Sequence, residues 1–147
     1  YAPLAELALG AQAVAAGDTA KATAIFRRVA ADQKVAKPLR DLALMKALRI
    51  EFDTQPTDKL AAELRPFAQP GNPWFPSAGE MLAAVHLREG RKDDAAALFA
   101  AIAKDDTAPP SLRARASQMA DMLGAMPPDD PVAPAETAPA APAGLAQ

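Results

Sequence analysis

Apolar side chains recur along this chain three and four residues apart, and no stretch alternates strictly between apolar and polar as a half-buried strand would. The pattern predicts seven helices. The first covers residues 3–16 and stops at Gly17. Asp18 is placed to cap the second, which runs to residue 31. Pro38 opens the third, over 38–52, and a break at 53–56 follows. The fourth covers 57–65 and is closed by Pro66. Gln69-Pro70-Gly71-Asn72-Pro73 is a loop signal. The fifth starts between residues 73 and 77 and ends at Gly90, and the sixth covers 91–104. Pro109 and Pro110 precede the seventh, over 111–123. Connections this short predict antiparallel neighbours.

Two helices differ in how their apolar positions are spread. After Pro3, the first carries polar groups only at Glu6 and Gln12, so it is apolar nearly all round and expects a neighbour on either side. The second helix supplies one neighbour, and a helix upstream of this chain is the expected other. The seventh has a single stripe, Leu112, Ala116, Met119 and Leu123, with Arg113, Arg115, Gln118 and Asp121 off it. That is the pattern of a C-terminal capping helix.

The chain also repeats itself at an offset of 73 residues. Leu9-Gly10 meets Leu82-Ala83, Gly17 meets Gly90, Ala22 meets Ala95, and Phe26 meets Phe99. Val29 meets Ile102, and Asp32 meets Asp105. The spacing has a physical sense. Small residues let two helices approach closely, a phenylalanine one turn later fills the space beside them, and glycine permits the tight turn. A single hairpin cannot bury its own apolar face, so stacked copies form a solenoid. The expected fold is all-α: units over 3–32, 38–67 and 74–104, then a capping helix over 111–123. The middle unit buries Leu44, Leu48, Leu60, Leu64 and Phe67.

Composition sharpens the boundaries. Alanine fills 39 of the 147 positions, which favours helix. Of 15 prolines, nine fall at helix boundaries and breaks, and six lie from Pro127 onward. The folded domain is therefore expected over 1–124, with a disordered Pro/Ala-rich tail over 125–147. The net charge is −2, and three acids of the tail leave the remainder at +1, with no basic stripe to bind nucleic acid. No apolar run approaches the roughly 20 residues that span a bilayer. The absence of cysteine excludes a disulfide scaffold, a thiolate zinc site and a cysteine nucleophile. The chain opens on Tyr1 rather than methionine, as expected of a fragment or a processed product.

Leu9-Gly10, Gly17, Ala22, Phe26 and their partners Leu82-Ala83, Gly90, Ala95, Phe99 resemble the tetratricopeptide repeat. The repeat's usual tryptophan and tyrosine are absent, with Ala13 and His86 in the tyrosine slot, and Lys34 and Thr107 stand where its closing proline would be. Residues 71–123, with Gly71-Asn72-Pro73-Trp74 as the most specific block, and residues 40–56 upstream, resemble the YfgM-type family of ancillary Sec translocon subunits. The resemblance implies a right-handed superhelix on the periplasmic side of the inner membrane, held by an N-terminal helix outside this chain. It implies protein partners, translocon subunits and periplasmic folding factors, with no cofactor and no catalysis. A cytosolic adaptor of the same fold, or a repeat domain accessory to a larger enzyme, stays open as the alternative.

Candidate chemistry is sparse. His86 is the one histidine and falls between Val85 and Leu87, the place of a structural residue. Asp93-Asp94 sits in the first turn of a helix, where negative charge suits the dipole, and Asp105-Asp106 lies in a loop. Trp74 is expected to pack its loop onto the fourth and sixth helices. No catalytic, metal or cofactor residues are expected. The candidate protein-binding face consists of Lys46, Arg49, Glu80, Leu87 and Arg88.

Overall fold

The computed structural model describes residues 2–124, so the expected tail lies outside the described residues. Among these, every regular element is a helix: α1 (Ala2–Ala15), α2 (Thr19–Ala31), α3 (Lys37–Glu51), α4 (Thr57–Leu64), α5 (Phe75–Arg88), α6 (Lys92–Ala103) and α7 (Pro110–Gly124). The expected bounds hold to within two residues. The largest difference is the end of α5, which stops at Arg88 because Gly90 already belongs to the turn.

The turns explain why the helices stop where they do. Gly17 and Gly90 take φ of 77° and 74°, a left-handed conformation that costs glycine little. At each, the next amide reaches back over the helix end. The Asp18 N–H donates to the Ala13 carbonyl at 2.9 Å, and the Arg91 N–H donates to the His86 carbonyl at 2.8 Å. Asp18 then caps α2 by accepting from the Lys21 N–H at 3.1 Å. The exits of α2 and α6 also match. Asp32 Oδ1 accepts from the Lys34 N–H, and Asp105 Oδ1 from the Thr107 N–H, each at 2.9 Å.

The duplication extends further than the residue matches. Adding 73 to the bounds of α1, α2 and α3 gives those of α5, α6 and α7 to within one residue. Leu39 and Leu112, Ala43 and Ala116, and Ala47 and Ala120 form a third set of equivalents, on α3 and α7. The repeated body is therefore three helices long, and α4 is the connector between its two copies.

Packing follows chain order except between α3 and α4, which meet only through the side chains of a shared core. α1 packs on α2, α2 on α3, α4 on α5, α5 on α6, and α6 on α7. In the first copy, Leu7, Ala22, Phe26, Val29, Ala43 and Ala47 form one core. In the second, Ala83, Ala95, Phe99, Ile102, Leu112 and Ala116 form its counterpart. A third core joins the copies, from Met45 and Leu48 of α3 through Leu60 and Leu64 of α4 to Ala78, Leu82 and Val85 of α5. Phe67, after α4, belongs to it too, and Leu44 packs against it half-buried. Each copy uses a small residue for close approach. A Cβ built on Gly10 would stand 2.4 Å from the Phe26 ring, so only glycine fits there.

One pair of equivalents parts company. Leu82 is 5% exposed, whereas Leu9 is 51% exposed. The cause is α4, which covers Leu82 and the rest of that α5 face. Nothing among the described residues stands in the same relation to α1. Leu4 and Val14 of α1 are exposed as well.

An ionic fork reinforces the junction. The Arg27 guanidinium on α2 donates to both oxygens of Glu51 at the end of α3, with Nε at 2.9 Å, and to both oxygens of Glu63 on α4, with Nη2 at 3.0 Å. These hydrogen bonds raise the Arg27 pKa further above its ordinary value. Glu51 is one of two buried polar residues among those described, so its carboxylate depends on this partner.

Two outcomes follow for stability. Gly10→Val drives methyl groups into Phe26 and is expected to cost about 2 kcal/mol, read from the urea midpoint. Arg27→Met keeps the stem but strands the Glu51 carboxylate. It is expected to lose about 2 kcal/mol by the same measurement, more than Arg28→Met at the exposed pair with Glu6.

Candidate functional site

Side chains of α1, α3, α5 and α7 line a cleft that divides into two cavities. The first, of about 330 Å³, lies between Ala11 and Val14 of α1, Met45, Lys46, Arg49 and Ile50 of α3, and Trp74 and Ser77 at the start of α5, with Phe26 at its floor. The second, of about 560 Å³, lies between Arg49 and Phe52, Ser77, Glu80 and Met81 of α5, and Leu112 and Arg115 of α7. Arg49 and Ser77 belong to both walls and form the ridge between them.

The helix period puts the charged groups there. Lys46 and Arg49 are three residues apart on the exposed side of α3, while Met45 and Leu48 turn into the core. The Lys46 ammonium lies 5.9 Å from the centre of the Phe26 ring. Among the described residues no carboxylate stands within ion-pair distance of Lys46 or Arg49. Glu80 is already engaged, accepting from Arg115 Nε at 2.9 Å and Nη2 at 3.1 Å.

Of the five residues expected on a binding face, the structure brings Lys46, Arg49 and Glu80 to this cleft. Arg88 lies instead against the end of α3, with its guanidinium 5.0 Å from the centre of the Phe52 ring and a hydrogen bond to the Phe52 carbonyl. Leu87 packs half-buried against the core of α6 and α7. Trp74 leans on the core shared by α3, α4 and α5, and also faces α1 across the first cavity. Its position follows from the Asn72 side chain, which accepts from the Trp74 N–H at 2.8 Å and sets the turn. Ser77 and Arg115 were not singled out by sequence. Arg115 carried one weak signal, its place off the apolar stripe of the last helix.

The other polar candidates are placed plainly. Asp94 pairs with Arg91 at 2.7 Å. Asp105 accepts from the hydroxyl and amide of Thr107, which lowers its pKa below the ordinary carboxylate value. Among the described residues no group of three His, Asp or Glu side chains could hold a metal ion. Among the described residues no helix is long and apolar enough to cross a membrane.

His86 is buried, and its Nδ1 has no hydrogen-bond partner, with the nearest Glu89 carboxylate oxygen at 3.7 Å. Burial lowers its pKa below the ordinary 6.5, and Arg91 and Arg65 push the same way against Asp94 and Glu89. The folded state therefore prefers the neutral ring. On unfolding the ring protonates at its ordinary value, so its contribution is full above about pH 6.5 and is lost progressively as the pH falls below it. The urea midpoint is expected to drop between about pH 7.5 and about pH 5.5, and His86→Gln to remove much of that drop. Comparison with protein-family models, curated proteins and solved structures finds no match to this chain.

Proposed function

We propose that this chain is a non-catalytic protein-interaction scaffold, a tetratricopeptide-like array whose cleft between α1, α3, α5 and α7 receives a segment of a partner protein. The cleft is the observation that carries the reading. It is apolar at its walls and bears two cations, Lys46 and Arg49, without ion-pair partners among the described residues. The array reading is supported by the close packing of α1 on α2 and of α5 on α6, by the matched glycine turns, and by Phe26 and Phe99 beside small residues. On this reading α1, α3, α5 and α7 are the first helices of successive units, the side on which arrays of this kind take ligands.

The setting comes from the sequence resemblance: the periplasmic face of the inner membrane, beside the Sec translocon and periplasmic folding factors. A cytosolic adaptor remains the alternative setting. A photo-crosslinking residue at Ser77, in the full-length protein in its own cells, tests both levels. Translocon subunits or a periplasmic folding factor are the expected partners. Recovery of cytosolic proteins alone overturns the setting. Capture from Arg28 on α2 but not from Ser77 overturns the cleft as the binding face.

A further inference from the structure

We infer that the cleft selects a partner segment in which one acidic side chain stands between two large apolar side chains. The acid meets Arg49 and Lys46, and the apolar groups enter the cavities on either side of the ridge. This rests on the interaction reading above and states its ligand chemistry.

The argument is one of charge and shape. Each cavity reaches the size of a small ligand pocket, about 300 Å³ or more. The walls of the first are Val14, Phe26, Met45, Ile50 and Trp74, an aliphatic and aromatic surface that rewards a leucine or an aromatic ring. Among the described residues its only charged lining groups are Lys46 and Arg49, both positive. An apolar segment without an acid would cover these cations and leave them unpaired, which opposes binding. A carboxylate beside the anchor meets both. Arg49 offers a planar fork and Lys46 a point charge one turn away.

The second cavity is balanced differently. It holds Asp53 and Glu80 together with Arg49 and Arg115, and Glu80 and Arg115 satisfy each other. A second acid placed there meets Asp53 and Glu80, whereas an apolar group meets Phe52, Met81 and Leu112. The cleft thus favours a single acid with apolar flanks over an acidic run. Selection against the run is as much a part of the reading as attraction of the single acid.

The chain itself carries a related segment, Met126 to Val132, with Asp129-Asp130 between apolar residues. The inference commits to a partner segment in trans, and the test separates the two. The probe is a labelled Ser/Gly peptide carrying Leu, Glu and Phe at alternate positions, titrated against the full chain by fluorescence polarisation. The parent peptide is expected to bind at least ~10-fold tighter than peptides with Glu replaced by Lys, or with Leu and Phe replaced by Ser. Arg49→Glu is expected to weaken the parent peptide by a similar factor with its urea midpoint unchanged, while Arg28→Glu binds as the wild type does. Added salt weakens the parent complex. Equal affinity for the Glu and Lys peptides, no effect of Arg49→Glu, or binding only after removal of residues 125–147 overturns the inference. A partner captured from Ser77 in cells but indifferent to Arg49→Glu leaves the scaffold reading standing and this one fallen. No capture from Ser77 removes both.

Discussion

The fit of one aromatic ring against one small residue governs this structure. Phe26 can enter between α1, α2 and α3 only because position 10 has no side chain, and Phe99 enters the second copy among Ala83, Ala95 and Ala116. The rings fix how closely the helices approach. The alanine richness of the chain follows from the same requirement. Ala22, Ala43, Ala47, Ala83, Ala95 and Ala116 are almost without exposure, because each stands where a larger side chain would push two helices apart.

The joint between the copies works by different means. α4 is a short helix of eight residues, too short to be stable alone, and it is held by Leu60 and Leu64 below and by Glu63 at its side. Because α4 lies on α5, the second copy has a helix covered on two sides, and the first does not. Arg27 has no equivalent in the second copy, where alanine stands at position 100. The ionic fork therefore belongs to the joint and not to the repeat.

Much of the fold could be read from the residues, because its punctuation is local. Glycine with positive φ, aspartate at a cap and proline at a first turn act within a few residues, so the helix bounds came out nearly right. The phenylalanine pair was also legible, since rings are scarce in this sequence. The third pair of equivalent helices was not, because its matches are mostly alanine, which is common everywhere in the chain. The site was legible in part. Lys46 and Arg49 stand out on one face of α3 and Glu80 on α5, but Ser77, Trp74 and Arg115 reach the cleft only through packing between distant segments. Arg88 was drawn away by the Phe52 ring and carbonyl, a contact 36 residues distant in sequence that no periodicity encodes.

The two ends of the domain are unlike. Among the described residues α1 leaves Leu4 and Leu9 exposed, whereas α7 exposes polar side chains such as Arg115, Gln118 and Asp121, with Met122 the exception. Water is a poor solvent for the first surface and a good one for the second. The domain therefore has a polarity that its internal near-symmetry conceals. The duplication thus repeats a backbone without repeating the surface which that backbone presents.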